Sequence, residues 1–398
     1  MVVHNGNPQK KALIKGGHEK VIQARLEDGE FYFKEDTRQK LSSRVSALNG
    51  IVFHKHLGTL LDKTKRLQFL VKKIAEKLAF SEQDTKVVTE AAKLAKADLL
   101  TSMVGEFDEL QGFIGAEYAL REGVSKKVAN SIAEQYLPRH GKDVLPKTKS
   151  GAILSIADRI DTLCAYISIG LMPTSTGDPY ALRRQATGMI DIILSFGFDI
   201  SIPWLATITY KRLAKDFKRL AKETEVVLKT TQLAKARLEF RLSQTGIDYD
   251  IIRSVAKTDT GRPVDFKERT LALQSIRNRE NKALQDIITV CNRASSIADK
   301  NFGTKINTDF LIEKEEKAFY KLLLKTEKQL DEEILKGKYK EAIRTLSSLK
   351  KTIDLFFDEV LVMVKKKELR KNRHALLNRF VLACLRVADL SEIVKDQT

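Results

Sequence analysis

The stretch that decides the fold is residues 170–189, GLMPTSTGDPYALRRQATGM. Its first half is rich in turn residues. Its second half predicts a helix with Asp178 as the N-cap and Pro179 at the first helical position, where the missing N–H of proline has no intrahelical partner. Arg183 and Arg184 follow one turn later, on different faces of that helix. The pattern suits a surface that binds an anion, and it equally suits a buried arginine that pairs with a carboxylate, so both roles stay open.

Helical periodicity extends from this stretch in both directions. On the N-terminal side, apolar spacing predicts helices over residues 59–78 and 151–169, and Ser81 with Asp84 predicts an N-capped helix between them. On the C-terminal side, helices are predicted over residues 205–243, 266–290, 309–335, 338–357 and 367–390. A strand is predicted at residues 2–4 and none after residue 55. The predicted fold class is therefore mainly α.

The composition favours an anionic partner. Lysine and arginine number 70 against 52 aspartates and glutamates, which gives a net charge of +18 over 398 residues. Such an excess serves most often to bind nucleic acid and less often to bind a membrane surface. The three cysteines have no metal-type spacing, and the sequence shows neither a membrane-spanning run nor a secretory signal. The sequence therefore predicts a cytoplasmic protein with no membrane association.

Several longer blocks carry a resemblance to a known family. Besides residues 170–189, they are GGHEKVIQARLEDGEFYFKED and IVFHKHLGTLLDK within residues 16–63, AAKLAKADLLTSMVGEFDELQG at residues 91–112, and FFDEVLVMVKKKELRKNRHALL at residues 356–377. Together they resemble the β subunit of the tetrameric bacterial glycyl-tRNA synthetase. The chain of that family is longer at its N-terminus, so the resemblance predicts that this sequence is the C-terminal portion of such a subunit.

The resemblance implies four parts. Residues 1–45 would be the remnant of a preceding domain with a linker helix, residues 46–200 an HD-like helical domain, residues 201–300 a basic helical body, and residues 301–398 an α-helical anticodon-binding bundle similar to that of arginyl-tRNA synthetases. In this family the aminoacylation site lies on a separate α subunit. This agrees with the sequence, which contains neither a P-loop nor a dinucleotide-binding fingerprint.

An HD-type domain raises the alternative of a metal-dependent phosphohydrolase. Such enzymes need an adjacent histidine and aspartate to bridge metal ions, and the nearest match, KAD at residues 96–98, has no histidine. Asp158 and Asp161 lie one turn apart on a predicted helix, and we expect them to bind Arg159 or a neighbouring cation. The HKH pattern of residues 54–56 is weak as a metal signal. We therefore predict no metal site and no catalytic residue on this chain.

The resemblance also implies residues that bind tRNA. They are cations and one amide in residues 170–189 and near the C-terminus: Arg183, Arg184, Lys365, Lys366, Arg370, Asn372, Arg373 and Arg379. Lysines attract phosphates without selecting bases, whereas arginine and asparagine can read the exposed edges of unpaired anticodon bases. The alternative for Asn372 and Arg373 is that they pair inside the bundle. Phe356 and Phe357 are expected in the core rather than at a stacking surface.

From the resemblance we expect the tRNA-binding part of a glycine–tRNA ligase, which positions tRNA(Gly) for ATP-dependent glycylation by the α subunit. The implied partners are that α subunit, in an α₂β₂ heterotetramer, and tRNA(Gly). ATP and Mg2+ are expected on the α subunit, and no cofactor is expected on this chain. The alternatives are an HD-type metal-dependent phosphohydrolase and a stand-alone RNA-binding protein derived from the synthetase.

Overall fold

The chain folds mainly as α-helices, as the sequence predicts. A computed structural model describes residues 6–394, so the strand predicted at residues 2–4 lies outside the described residues. The structure divides into two compact units, whose described parts are residues 6–196 with Pro203–Thr230 for unit 1, and Gly197–Ile202 with residues 231–394 for unit 2. The HD-like topology and the four-part division predicted from the sequence stay predictions.

Unit 1 consists of helices and a short β-hairpin. The helices are α1 (Lys11–Asp36), α2 (Leu41–Arg44), α3 (Leu60–Lys77), α4 (Glu82–Leu94), α5 (Ser102–Glu106), α6 (Phe113–Arg121), α7 (Lys126–Glu134), α8 (Lys149–Ser168), α9 (Leu182–Phe196) and α10 (Ile202–Asp216). Strands β1 (Val52–His54) and β2 (Gly58–Thr59) pair antiparallel just before α3. The sequence pattern misses β2 because so short a strand shows no detectable alternation.

Unit 2 contains the C-terminal helices. The boundary between the units falls at the start of α10 and within α11 (Glu223–Ser243). The following helices are α12 (Tyr249–Ala256), α13 (Pro263–Arg279), α14 (Asn281–Ile297), α15 (Lys314–Leu335), α16 (Tyr339–Ser347), α17 (Lys350–Glu359) and α18 (Lys367–Leu385). The helices predicted over residues 205–243, 266–290 and 338–357 are each interrupted. No glycine or proline marks these breaks, so the local sequence does not signal them.

Side-chain caps explain where two helices of unit 1 begin. At the start of α3, the Thr59 hydroxyl accepts the Asp62 N–H at 3.3 Å, and Asp62 Oδ2 accepts the Thr59 N–H at 3.0 Å. At the start of α4, the Ser81 hydroxyl accepts the Asp84 N–H at 3.0 Å, as predicted. Burial favours the neutral form of Asp62, but the hydrogen bonds from Thr59, together with the charges of Lys65 and Arg66, outweigh it and lower the pKa of Asp62. Asp62 is therefore engaged in starting a helix.

Each unit has its own core. In unit 1, α8 is buried along nearly its whole length and packs against α3, α4, α7 and α9. In unit 2, α18 packs against α14 and α15 around Phe319, Phe356 and Phe380. Phe356 is fully buried, which confirms its predicted core position, whereas Phe357 is only half-buried. Among residues 6–394, none of the helices combines the length and apolar character that a membrane crossing needs.

Candidate functional site

The signature stretch, residues 170–189, folds as a loop that leads into α9. The helix begins at Leu182 rather than at Pro179, so the predicted start is wrong. Asp178 still acts as a cap, because its Oδ1 accepts the Leu182 N–H at 2.8 Å and its Oδ2 accepts the Arg183 N–H at 2.9 Å. The Asp178 carboxylate reaches these N–H groups across a turn that lies between Asp178 and Leu182. The sequence prediction placed the helix directly after Asp178 and so did not include this turn.

The two arginines of the signature stretch have different environments. Arg183 Nη2 donates a hydrogen bond to the backbone carbonyl of Thr174, so this side chain fastens the loop to the helix. Arg184 is exposed and makes no hydrogen bond or ion pair with any residue that the structure describes. Arg183 therefore has a contact within the protein, Arg184 is the more accessible of the two cations, and the binding of tRNA by either stays a prediction.

Substitution of each arginine should separate these roles. Arg183→Ala removes the loop hydrogen bond, so we expect the free energy of unfolding to fall by about 1 kcal/mol. Arg184→Ala should leave it unchanged, and Arg184→Glu should weaken RNA binding at unchanged stability. Urea unfolding followed by circular dichroism measures the first two effects. Equal losses of stability for the two alanine variants would contradict this assignment.

A buried cluster of five charged side chains lies where α3 packs against α8, with Lys96 from the turn after α4. Lys63 Nζ lies 2.9 Å from Asp158 Oδ1 and 3.0 Å from Asp161 Oδ2. Arg66 Nε lies 2.6 Å from Asp161 Oδ1. Lys96 Nζ lies 2.8 Å from Asp158 Oδ2. The prediction that the two aspartates bind neighbouring cations is confirmed.

The charges of this cluster stabilise one another. At Asp158, burial favours the neutral carboxyl group, but Lys63 and Lys96 outweigh it and lower the pKa. At Asp161, burial is likewise outweighed by Arg66 and Lys63, so its pKa is lowered too. Burial opposes the charged form of Lys63, but the two aspartates raise its pKa overall. At Lys96, burial prevails over the attraction of Asp158 and lowers the pKa.

This donor set does not suit a divalent metal. Asp158 and Asp161, the carboxylates that an HD-type site would use, are already held by three side-chain cations, which would repel a further cation at the same place. The Phe53 ring covers the cluster, with its centroid 4.8 Å from Lys63 Nζ. Among residues 6–394, no three His, Cys, Asp or Glu side chains are grouped as metal ligands. The geometry therefore gives no support to the phosphohydrolase alternative.

Arg159 joins α8 to α9. Its Nη1 donates to Gln185 Oε1 at 2.9 Å, and burial lowers the pKa of Arg159 to about 10. A Cβ atom at Gly188 would lie 2.8 Å from the guanidinium carbon of Arg159, which is closer than real Cβ contacts. The signature stretch is therefore fixed on α8 by the fit of a glycine against a buried arginine.

In unit 2, two of the predicted tRNA-binding arginines are paired within the protein. Arg373 Nε contacts Glu316 Oε1 at 2.5 Å, and its Nη1 donates to the Leu361 carbonyl at 2.7 Å. Arg379 makes a bidentate pair with Glu327 at 2.7 and 2.6 Å. Both glutamates belong to α15, so these arginines hold α18 against α15.

The N-terminal end of α18 is basic and accessible. Lys365 and Lys366 are exposed and form no ion pair with any residue in 6–394. Arg370 lies one turn further along, half-buried, and its Nε has no partner among the described residues. The N-terminus of a helix carries a partial positive charge, so this end of α18 attracts anions.

A cavity of about 470 Å³ opens beside the same end of α18. Its walls are formed by Lys305, Ile306, Asn307, Thr308, Phe310, Glu368, Lys371 and Asn372. Asn372 is 4% exposed; its Oδ1 accepts the Asn307 N–H at 2.7 Å, while its Nδ2 has no partner among the described residues. A buried donor without a partner is unfavourable, and an acceptor on a ligand in the cavity would satisfy it.

Of the eight residues that line this cavity, the sequence predicted only Asn372. Lys305 and Phe310 lie in the connection between α14 and α15, far from α18 in sequence, and no local pattern links them to it. Lys371 is an exposed neighbour of two predicted residues, so its position beside Arg370 and Asn372 was a signal that could have found it. Of the predicted set, the structure brings Lys365, Lys366, Arg370 and Asn372 to one end of α18.

Comparison with known proteins places these features in a family. The family profile described as "Glycyl-tRNA synthetase beta subunit" matches residues 1–257. The profile described as "DALR anticodon binding domain" matches residues 287–387. The second match covers the cavity and all of α18.

Curated relatives align with nearly the whole chain. The "Glycine--tRNA ligase beta subunit" of Desulforamulus reducens is 35% identical over 394 residues, which cover 99% of this chain and 56% of the relative. The protein of the same name from Clostridioides difficile is 38% identical over 397 residues, with the same coverage of 99% and 56%. The chain thus spans about half the length of these relatives. The first profile matches more than half of the residues of this chain, and the chain therefore belongs to the glycyl-tRNA synthetase β-subunit family.

Proposed function

We propose that this chain is the tRNA-binding part of a glycine–tRNA ligase and positions tRNA(Gly) for glycylation by the α subunit. The observation that carries the proposal is the basic end of α18, where Lys365, Lys366 and the cavity at Asn372 lie beside one another. Lysines at this end bind phosphates, and the unpartnered Nδ2 donor of Asn372 reads an unpaired base. Holding the tRNA in place lowers the entropic barrier of the transfer step.

We further propose an α₂β₂ heterotetramer in which ATP and Mg2+ act on the α subunit. The word "beta" in the names of these relatives supports an α partner. In this chain, the buried carboxylates that could attract a metal are neutralised by lysine and arginine. A role in charging tRNA supports a cytoplasmic location.

Equilibrium binding of labelled tRNA(Gly) to the full chain tests the proposal. We expect the logarithm of the affinity to fall linearly with the logarithm of the salt concentration, because lysine–phosphate contacts release counterions. A tRNA with a different anticodon should bind more weakly. A response that stays flat with salt, or no binding at all, would contradict the proposal. Glycylation of tRNA(Gly) by the α subunit, measured with and without this chain, then tests whether tRNA binding by the chain supports the reaction. If the chain binds tRNA(Gly) but does not increase glycylation, the result favours a stand-alone RNA-binding protein.

Asn372→Asp tests the role of the cavity. A carboxylate at this position still accepts the Asn307 N–H but replaces the free donor Nδ2 with an acceptor. We expect tRNA(Gly) to bind about tenfold more weakly, the effect of about one hydrogen bond, as measured by fluorescence anisotropy.

Asn378→Asp on the same helix is the contrasting variant. The Asn378 amide donates to the carbonyls of Asp299 and Gly303, both at 2.8 Å, so its loss should lower the melting temperature. If Asn372→Asp bound tRNA(Gly) as tightly as the unaltered chain, the cavity would not be the base-reading site.

A further inference from the structure

A group of aromatic rings on unit 1 has no part in the interface at α18. It consists of His54 and His56 on the hairpin, Tyr166 on α8 and Tyr180 in the signature stretch, and we call it the aromatic platform. Tyr166 and Tyr180 are stacked, with ring centroids 4.3 Å apart and planes at 24°. His54 meets Tyr166 edge-on at 5.7 Å and lies 5.6 Å from His56. Three segments distant in sequence therefore bring four rings together.

The rings are layered from buried to exposed. Tyr166 is 9% exposed, Tyr180 is 37% exposed, and His56 is on the surface. Tyr166 covers one face of the Tyr180 ring, and His54 meets that ring edge-on with centroids 6.5 Å apart. A ligand ring could therefore stack only on the Tyr180 face that Tyr166 does not cover. The Phe53 ring is 5.5 Å from that of Tyr166 and 4.8 Å from Lys63 Nζ, so these inner rings already cover the buried charge cluster. Tyr180 and His56 lie outside these inner rings and are not needed to cover the charge cluster.

The charges beside the platform favour an anionic ligand. His54 Nδ1 accepts the backbone N–H of His56 at 3.2 Å, so the proton of the neutral His54 ring lies on Nε2. Burial, together with the charges of His56 and Lys55, lowers the pKa of His54. Lys55 is exposed between the two histidines, and residues 51–57 contain no acidic side chain. On the adjoining loop, the carboxylate of Asp178 is occupied by two backbone N–H groups.

We propose that the aromatic platform binds an unpaired nucleobase of RNA, with Tyr180 as the stacking ring and Lys55 beside the neighbouring phosphate. Aromatic rings with cations close by are what proteins use to bind single-stranded nucleic acid. Bases inside a duplex offer no free face, so the ligand is a single-stranded segment. The inference rests on the proposed function, because the RNA is the bound tRNA(Gly), through either its unpaired 3′ end or one of its loops.

Substitutions at Tyr180 test the platform with a short single-stranded RNA that carries a 2-aminopurine base. Tyr180→Ala should weaken binding to the full chain by about fivefold to a hundredfold, the range for the loss of one base–aromatic stack. Tyr180→Phe keeps the ring and should bind as the unaltered chain does. Tyr180→Leu keeps an apolar contact with Tyr166 but has no π face, so it should bind as weakly as Tyr180→Ala. Fluorescence of the 2-aminopurine, which stacking quenches, reports binding, and thermal unfolding checks that each variant is folded.

Tyr249→Ala is the matched control, since it removes a tyrosine of unit 2 that is 67% exposed, and it should leave binding unchanged.

The same variants are then tested on tRNA(Gly) with and without its unpaired 3′ nucleotides. If the effect of Tyr180→Ala disappears with the shortened tRNA, the base belongs to the 3′ end; if it persists, the base belongs to a loop. If Tyr180→Leu binds both RNAs as tightly as the unaltered chain, the platform is overturned while tRNA binding stands. If the unaltered chain binds no tRNA(Gly), the proposed function fails and the inference fails with it.

Discussion

Replacing Asp161 with asparagine is expected to lower the free energy of unfolding of unit 1 by about 3–5 kcal/mol, the usual cost of removing one partner from a buried ion pair. Asp161 is completely buried, and its carboxylate contacts both Arg66 and Lys63. Asparagine keeps the size of the side chain but removes the charge, so Arg66 is left buried without a carboxylate. Urea unfolding at neutral pH measures the change, and an unaltered midpoint would show that the pairing is not needed.

Two further variants identify the cause of the loss. Glu30→Gln breaks an exposed pair with Lys34 on α1, and it should leave the midpoint unchanged because exposed pairs contribute little. Asp161→Leu combined with Arg66→Met removes both charges together. Part of the lost stability should then return, because a buried ion pair can often be replaced by apolar side chains of similar size.

The pH dependence gives an independent check on the same cluster. The pKa values of Asp158 and Asp161 are lowered in the folded state, so their contribution is present above the unfolded value of about 3.9 and is lost as the pH falls below it. The pKa of Lys63 is raised, so its contribution is present below about pH 10 and is lost as the pH rises further. The difference in stability between the unaltered chain and Asp161→Asn should therefore be widest between about pH 5 and pH 10.

The double charge reversal Lys365→Glu with Lys366→Glu is expected to weaken tRNA(Gly) binding about 60-fold at 0.1 M salt. Each phosphate contact contributes about 0.9 to the slope of log affinity against log salt, so removal of two phosphate contacts at that concentration lowers the log affinity by about 1.8. Both lysines are exposed, so stability should not change. A salt titration of binding should show the slope reduced by about 2.

Lys336→Glu with Lys338→Glu is the matched control for this reversal. These lysines are also exposed, but they follow the C-terminal end of α15, whereas Glu316 at its start contacts α18. The helix has 22 residues, which separates its ends by about 33 Å. The control should bind tRNA(Gly) nearly as the unaltered chain does. Equal reductions in affinity for the two double variants would mean that net charge, and not the end of α18, governs binding.

The sequence predicts well those features whose causes are local. Ser81 and Asp84 form the cap that their spacing predicts, and the apolar spacing locates most helices. The break at Glu280 has no local cause in the sequence, because neither glycine nor proline interrupts the pattern there. Asp178 is recognisable as a cap, but the turn across which it reaches Leu182 depends on how the loop packs.

The roles of individual cations are harder to predict, since each depends on which carboxylate the fold brings close. Arg373 and Arg379 meet glutamates on α15, and Arg183 meets a carbonyl of its own loop, whereas Arg184 and Lys365 meet no such partner among residues 6–394. Cationic side chains of the same chemical type are thus either paired or accessible, depending on the tertiary contacts that the fold creates. Whether the accessible ones bind tRNA stays a prediction.

Under the proposed function, the buried contact between Arg373 and Glu316 has a consequence for the kinetics of tRNA binding. Through the same guanidinium, Arg373 also holds the carbonyl of Leu361, so the segment that leads to the lysines is in place before any RNA arrives. A preorganised surface loses little conformational entropy on binding. Encounter should then be governed by diffusion and electrostatic steering, and the strength of individual contacts should determine how long the complex lasts.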